Sequence, residues 1–164
     1  MPDLLVSLYK LPARPDEAAL RAQGVVLRRA NTFELAHVSE FIETHFARSW
    51  ADETAAAFGR QPVTCYLTLV DRQIAGFAAY DVTRRAFFGP TGVDPAQRGR
   101  GLGTALLLAS LWGLADLGYA YGIIGAAGPV EFYRKTVGAS VIPDSEPGTY
   151  PGVYADLLKP SVTP

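Results

Sequence analysis

The apolar and polar residues of the chain recur with two different periods, and the changes of period mark the predicted elements. Residues 25–29 are an apolar run that ends in two arginines, which is typical of a β-strand. Asn31 and Glu34 then have the spacing of a helix capping box, and the apolar residues after them recur at helical intervals. A second helix is predicted to begin near Ser49 and to end before Gly59, because glycine commonly follows the last turn of a helix.

The middle of the chain has the two-residue period of strands. Residues 64–70 and 74–81 are predicted strands, and the three residues between them have the length of a hairpin loop. In the first of these strands Cys65, Leu67 and Leu69 alternate with polar or aromatic residues, as expected for a half-buried strand. Cys65 is therefore interpreted as a core residue, because no basic neighbour is evident to make it a nucleophile.

The remaining elements complete an α/β pattern. A third strand of this series is predicted at residues 85–93, followed by a Leu- and Ala-rich helix at residues 102–117 and a strand at residues 119–127. After a helix that starts at Pro129, residues 139–142 and 152–158 are predicted to be closing strands. This order predicts a mixed α/β sheet with helices on its faces.

The sequence before the strand at residues 25–29 predicts its structural role less clearly. Residues 1–23 are predicted to be an N-terminal extension, with a short strand at residues 4–11 and one or two helical turns after it. The extension could be an extra edge strand, a dimer contact or a strap across the core. Residues 24–158 would then be the core, and residues 1–164 a single domain.

Composition narrows the classes of function. The chain has 164 residues, 49% of them hydrophobic, and its formal net charge of −1 gives no electrostatic case for binding nucleic acid or an anionic membrane. One cysteine rules out an intramolecular disulfide and fits a reducing compartment. The acidic start does not resemble a secretory signal, and no uncharged apolar stretch of about 18 residues occurs. These features predict a cytoplasmic protein.

A glycine-rich turn joins the strand at residues 85–93 to the following helix. Its sequence, Val-Asp-Pro-Ala-Gln-Arg-Gly-Arg-Gly-Leu-Gly-Thr, occupies residues 93–104. The first N–H groups of a helix have no partner inside the helix, and glycines let an anion approach them closely. Arg98 and Arg100 add positive charge that suits phosphate oxygens. The turn, here named the cradle, is therefore predicted to bind a pyrophosphate.

The spacing of the glycines separates the cradle from two other phosphate-binding turns. Gly99, Gly101 and Gly103 have the pattern Gly-x-Gly-x-Gly, whereas a dinucleotide-binding turn needs Gly-x-Gly-x-x-Gly and an acidic residue about 20 residues later. A Walker A loop needs Gly-Lys followed by Ser or Thr, which this stretch lacks. A glycine-rich turn that binds no ligand remains the alternative.

The cradle resembles the acetyl-CoA loop of the GNAT N-acetyltransferase superfamily, whose signature is Arg/Gln-x-x-Gly-x-Gly/Ala. Arg98, Gly101 and Gly103 occupy the signature positions, and the order of elements is similar over residues 24–158. The resemblance implies a mixed, mostly antiparallel sheet with helices on both faces. It also implies acetyl-CoA as co-substrate and no metal. The cofactor-binding residues that it implies are Val93, Arg98, Gly99, Arg100, Gly101, Leu102, Gly103 and Thr104.

The same resemblance implies roles in catalysis. The N–H of Val93 would donate to the acetyl carbonyl, and Tyr133 would be the general acid that protonates the CoA thiolate. Tyr133 and Lys135 match the family's second motif, whereas Ala126 stands where the family usually has Asn, and Gly138 follows Tyr133 by one residue more than usual. The alternative for Tyr133 is a packing aromatic. For the general base, Asp81 and Glu34 are the remaining acidic candidates.

An acceptor site is implied between the first two helices of the core and the loop before the last strand. Phe46 and Trp50 are aromatic on one side, and Asp144, Glu146 and Tyr150 belong to the loop. Aromatic rings that face carboxylates suit a cationic amine, so a small or peptide-like amine is the predicted acceptor. The predicted function is an N-acetyltransferase. A non-catalytic acyl-CoA sensor or scaffold and a nucleotide-binding protein are the alternatives, and a homodimer is left open.

Overall fold

The computed structural model describes residues 1–149 of the chain. Its strands are β1 (Leu4–Ser7), β2 (Val25–Arg29), β3 (Cys65–Val70), β4 (Gln73–Tyr80), β5 (Phe87–Val93), β6 (Tyr121–Ile124) and β7 (Ser140–Val141). Its helices are α1 (Glu17–Ala22), α2 (Leu35–His45), α3 (Arg48–Ala55), α4 (Leu102–Asp116) and α5 (Val130–Val137). The strand predicted at residues 152–158 lies outside the described residues.

The strands of the described chain form one seven-stranded sheet in the order β2-β3-β4-β5-β6-β1-β7. Every neighbouring pair is antiparallel except β5 and β6, which run parallel. Helices α2 and α3 share a buried cluster with Phe77 on one face, and α4 and α5 share another with Phe88 on the opposite face. The prediction of a mixed, mostly antiparallel sheet with helices on both faces is confirmed.

Helix α4 is apolar around its whole circumference because it is covered on two sides. Nine of its fifteen residues are buried, and one side packs on β3, β4 and β5. On the other side Trp112 donates its indole N–H to the carbonyl of Pro12 at 2.9 Å. Arg14 stacks over the Trp112 ring at 4.5 Å and pairs with Asp116 at 2.6 Å. None of the helices within residues 1–149 is long and apolar enough to cross a membrane.

The N-terminal segment is an inner part of the sheet. β1 lies between β6 and β7, so the alternative of an extra edge strand is wrong. The buried carboxylate of Asp3 accepts the N–H of Ala126 at 2.8 Å and the hydroxyl of Thr149 at 2.7 Å. After β1 the chain passes across α4 through Pro12 and Arg14, which corresponds to the strap, one of the three alternatives for this segment.

Strand β3 differs from its predicted alternation. Cys65 and Leu67 are buried as expected, but Thr68 is fully buried and Leu69 is partly exposed. The pairing register of β3 with β4 shifts between Thr68 and Leu69, and such an irregularity moves the following side chains to the other face. Burial raises the pKa of the Cys65 thiol to about 12, which confirms that Cys65 is a core residue.

Candidate active site

Strands β5 and β6 separate soon after they meet. They pair only at Phe87 with Ile123 and at Phe88 with Ile124, after which β6 ends and β5 continues to Val93. The register of β5 against β4 shifts just beyond Phe88, which turns the strand away from β6. One edge of residues 89–93 therefore has no strand beside it in the described part of the chain, and this space is named the gap.

The backbone of Val93 is directed toward the gap. The N–H of Asp94 donates to the carbonyl of Ala75 at 2.9 Å, so Gly76 and Val93 form a non-hydrogen-bonded pair of the antiparallel ladder. In such a pair the backbone groups of each residue point away from the partner strand. The N–H of Val93 is consequently available on the side where β6 is absent.

The rest of the cradle follows Val93 directly in the chain. The side chain of Asp94 accepts the N–H of Ala96 at 2.9 Å and caps a short 3-10 turn, and Gly101 with φ +76° caps α4. The first helical N–H to find a carbonyl is that of Ala105, which donates to Gly101 at 3.1 Å. Within residues 1–149 the N–H groups of the three residues before it have no acceptor; these are Leu102, Gly103 and Thr104.

The two arginines of the cradle are placed differently. Arg100 donates to the side-chain oxygen of Gln97 at 2.6 Å and to the carbonyl of Gln23 at 3.3 Å, so it braces the loop against the turn before β2. Arg98 is exposed and makes no hydrogen bond or ion pair with the described residues. Of the two, Arg98 is the guanidinium that can turn toward an anion at the start of α4.

Tyr133 lies on the α5 side of the point where β5 and β6 separate. Its ring is buried and meets the rings of Phe88 and Phe132 edge to face, with centroids 6.3 and 5.1 Å away. Burial raises the pKa of the Tyr133 phenol above its usual range, which keeps the hydroxyl protonated. The hydroxyl makes no hydrogen bond with the described residues, so its proton is not engaged by them.

The two acidic residues considered as bases are engaged in structural contacts. Asp81 is buried, pairs with Arg60 at 2.9 Å and accepts the N–H of Ala86 at 2.7 Å. Glu34 is held by Arg28 at 2.6 and 2.8 Å and also caps its helix. The hydrogen bond from Arg28 is the main reason that the pKa of Glu34 is lowered to about 2. Neither carboxylate is a suitable proton acceptor for an amine.

A cavity of about 310 Å³, named the gap cavity, opens beside the gap on the side of α3. Trp50 and Glu53 of α3, Thr83 of the loop before β5, and Gly89 and Pro90 of β5 are among its lining residues. A larger cavity of about 740 Å³ lies between α2 and the β3–β4 hairpin and is lined by no residue of the gap edge 89–93. The gap cavity is therefore the one that reaches the gap edge of β5, at Gly89 and Pro90, whereas the larger cavity touches Asp94, the residue after Val93.

Phe46 and Trp50, the two aromatic residues predicted to form one wall of the acceptor site (the aromatic wall), lie beside β5. The ring of Phe46 lies against the backbone of Gly92, where a Cβ would come within 2.7 Å of Phe46 Cε1. Trp50 stacks on Phe46 with ring centroids 5.7 Å apart and also lines the gap cavity. Because Gly92 has no side chain, the stacked pair extends from the strand edge beside Val93 into the cavity.

The loop predicted to form the other wall of the acceptor site lies only partly within the described residues. Asp144 and Glu146 are exposed on the loop after β7, and neither lines the gap cavity. Tyr150 lies outside the described residues. Sequence reasoning missed Glu53, which lies one helical turn after Trp50 and so shares its side of α3. That spacing is visible in the sequence, but it does not say which side of α3 meets the gap.

Comparison with known proteins assigns the family. Residues 30–138 match the sequence model of the acetyltransferase (GNAT) family, which is more than half of the chain. The chain belongs to the GNAT family. The matched residues of this GNAT chain include β5, the cradle and Tyr133. No curated protein is significantly similar to it in sequence.

Solved structures agree on the fold. A GCN5-related N-acetyltransferase from Sphaerobacter thermophilus is 20% identical over 86% of this GNAT chain and 48% of its own, with a TM-score of 0.66. A glucosamine N-acetyltransferase region of a fungal GH3 β-N-acetylglucosaminidase is 14% identical over 86% of this chain and 19% of its own, with a TM-score of 0.68. This chain thus spans less than half the length of either protein.

A third structure contains a ligand. A GNAT family acetyltransferase from Brucella melitensis, solved in complex with acetyl-CoA, is 20% identical over 68% of this chain and 80% of its own, with a TM-score of 0.54. At these identities the three structures support the shared GNAT fold.

Proposed function

We propose that this GNAT chain transfers an acetyl group from acetyl-CoA to a primary amine. One observation carries the proposal: the cradle of unpaired N–H groups and the gap-facing N–H of Val93 belong to one continuous stretch, residues 93–104. A phosphate group and a thioester of the same molecule can therefore meet the chain at neighbouring places. The Brucella relative, which has the same fold, binds acetyl-CoA.

The residues present suit a pyrophosphate. The N–H groups of Leu102, Gly103 and Thr104 have no acceptor in the described chain, and the dipole of the fifteen-residue α4 favours an anion beside them. A Cβ added at Gly99 or Gly101 would meet no atom within 4 Å, so the approach to this turn is open. Arg98 adds a guanidinium at the same place, while Arg100 keeps the loop in position.

Two groups of the chain would act on the reacting atoms. Acetyl-CoA supplies an acetyl thioester. The N–H of Val93 would donate a hydrogen bond to its carbonyl oxygen, where negative charge increases during attack. Tyr133 would give its phenolic proton to the departing sulfur, which a protonated hydroxyl beside the gap can do.

The acceptor is proposed to be a small or peptide-like amine that carries positive charge. Phe46 and Trp50 offer stacked rings for a cation, and Asp144 and Glu146 add negative charge on the exposed loop. Tyr150 is kept in the same role as a prediction from the sequence. Residues 24–158 are proposed as the catalytic core.

A non-catalytic acyl-CoA sensor is the second candidate, and one observation favours it. Ala126 replaces the asparagine of the family motif at the end of β6, so the chain lacks that polar side chain beside the gap. The test is to incubate the protein with acetyl-CoA and a panel of primary amines and to measure released thiol. Amine-dependent thiol release supports the transferase. Tight binding of acetyl-CoA by calorimetry without thiol release on any amine supports the sensor instead.

A further inference from the structure

Glu53 is the one ionisable side chain among the described residues that line the gap cavity. It lies on α3, partly buried, and its Oε1 accepts a hydrogen bond from the hydroxyl of Thr83. Its other oxygen, Oε2, has no partner within residues 1–149. The Thr83 contact joins the loop before β5 to α3, so the carboxylate is held in one orientation with a free oxygen.

The Glu53 carboxylate takes part in none of the side-chain ion pairs observed within residues 1–149. By contrast, Asp81 pairs with Arg60 and Glu34 pairs with Arg28. A partly buried carboxylate with an oxygen that no side chain occupies favours a cationic ligand, because Coulomb attraction is stronger where less water screens it.

We propose that Glu53 binds the ammonium group of the acceptor and takes its proton. This inference rests on the proposed function and names the residue that prepares the amine for attack. The free Oε2 of Glu53 receives the ammonium group, and Thr83 keeps the carboxylate in position. The ring of Trp50, one helical turn before Glu53, flanks the same ammonium group.

The rest of the cavity indicates what the ammonium group is attached to. The other lining side chains include the apolar Met1, Phe87, Phe88 and Pro90. A cavity of about 310 Å³ is at the small end of ligand sites, and one ionisable side chain among mostly apolar walls suits a small molecule with one charged end. The acceptor class is therefore a primary amine on a compact apolar or aromatic group.

Glu53 lines the same cavity as residues of β5, the strand beside which acetyl transfer is proposed. Gly89 and Pro90 line it, and they belong to the gap edge of β5 that leads to Val93. Glu53 lies on the α3 face of the sheet, whereas Tyr133 lies on the α5 face. A base on one face and an acid on the other suit an attack that enters from one side and a leaving group on the other.

With Glu53 as the base and Tyr133 as the acid, the protons and electrons of the acetyl transfer balance. The ammonium gives one proton to Glu53, and its nitrogen forms the C–N bond while the thioester C–S bond breaks. The sulfur keeps the electron pair of that bond and takes a proton from Tyr133. The second proton of the nitrogen restores the phenol, and Glu53 releases the first to solvent. One amide, one thiol and one proton result.

The test replaces the carboxylate with an amide of the same shape. Glu53→Gln should lower kcat/KM for 2-phenylethylamine by about 10²-fold or more, which is the usual contribution of a general base. Asp52→Asn is the matched control, because Asp52 is the exposed neighbour on the same helix and is expected to leave kcat/KM unchanged. Equal rates for Glu53→Gln and the parent would overturn the inference.

A second acceptor separates proton removal from binding. O-benzylhydroxylamine has a similar size, but its nitrogen is already neutral at about pH 7.5, so it needs no base to remove a proton. The rate loss in Glu53→Gln should be at least about 10-fold smaller with this acceptor than with 2-phenylethylamine. An equal loss with both acceptors would contradict the proton-removal role of Glu53.

Binding without turnover gives an independent readout. With CoA in place of acetyl-CoA, calorimetry should show 2-phenylethylamine binding to the parent more tightly than its neutral analogue 2-phenylethanol. Glu53→Gln should remove that preference, and a preference that survives would overturn the inference. Parent protein that binds acetyl-CoA but releases no thiol with any amine refutes the proposed transferase instead, so the two failures are distinguishable. Preference for a polyamine or an amino sugar over 2-phenylethylamine would refute the apolar acceptor class.

Discussion

The cradle and the gap cavity are both open to solvent and lie along the same strand, yet they are built in opposite ways. The cradle is made from consecutive residues, and its binding groups are backbone N–H groups whose directions are set by β5 and α4. The cavity takes single side chains from α3, from the loop before β5 and from the chain after β6. One site is local and made of backbone, whereas the other is assembled from distant segments and made of side chains.

This difference determines how each site should respond to change. Backbone groups survive most substitutions, so the cradle should fail only when a residue adds bulk or negative charge where the anion lies. The cavity depends on individual contacts, such as the one between Thr83 and Glu53 or the ring of Phe46 on Gly92. Single substitutions there should alter rate or acceptor affinity and leave the binding of acetyl-CoA nearly intact.

The largest effect is expected from a charge in the cradle. Gly101→Asp should abolish measurable acetyl-CoA binding by calorimetry, because it places a carboxylate beside the helical N–H groups that would hold the pyrophosphate. Losing two such charge-assisted hydrogen bonds weakens binding by about 10³-fold or more. A folded variant that binds acetyl-CoA like the parent would refute the cradle as the phosphate site.

Two control variants separate charge from conformation at this position. Gly101→Asn has nearly the same size, and asparagine also tolerates the left-handed conformation at φ +76°, so it should bind better than the aspartate variant. Gly118→Asp places the same residue at another positive-φ glycine with no neighbour, after the opposite end of α4. That variant should bind acetyl-CoA normally.

The next effect tests Tyr133, the proposed general acid. Tyr133→Phe should lower kcat by about 10²-fold and leave acetyl-CoA affinity nearly unchanged, because the phenolic proton acts mainly in the transition state. The ring contacts with Phe88 and Phe132 are retained in phenylalanine, so the free energy of unfolding should change little. Stopped-flow measurement of the chemical step is the readout, and an unchanged rate would leave Tyr133 as a packing residue.

The contrast between the regions also explains what the sequence could predict. The cradle was recognisable because its glycines and arginines are neighbours in the chain, and the strands and helices followed from their periods. Glu53 is not recognisable in the sequence, because its proposed role depends on which segments meet at the gap. Asp81 and Glu34 were considered instead, and no periodicity shows that Arg60 and Arg28 already pair with them.

Two features of the fold could not be predicted from local sequence patterns either, because they too depend on distant parts of the chain. The strand β1 reads as an isolated apolar run, and its place between β6 and β7 depends on a partner more than 100 residues away. The buried Thr68 breaks an otherwise regular alternation because of a register shift that only the pairing with β4 reveals. Both errors concern long-range pairing.

A smaller effect, on stability, tests the contact between the aromatic wall and β5. Gly92→Ala should lower the free energy of unfolding by about 1–3 kcal/mol, because the new methyl group meets the ring of Phe46. Gly59→Ala is the control, since nothing lies within 4 Å of a Cβ there, and it should be nearly neutral. In Gly92→Ala/Phe46→Leu the two costs should be less than additive. Urea unfolding is measured for the parent, Gly92→Ala, Phe46→Leu, the double variant and Gly59→Ala.

The smallest effect concerns the exposed loop after β7, which carries Asp144 and Glu146. Asp144→Asn with Glu146→Gln should raise the KM for a cationic amine by about 2- to 5-fold at low salt, because exposed charges attract weakly through water. Asparagine also tolerates the left-handed conformation of Asp144, at φ +57°, so the loop should keep its shape. At about 0.5 M salt the difference should disappear, whereas the defect of Glu53→Gln should persist because that carboxylate is partly buried. A parental KM at low salt would exclude the loop from acceptor binding, and a defect that salt does not reduce would show that these acids contact the amine directly.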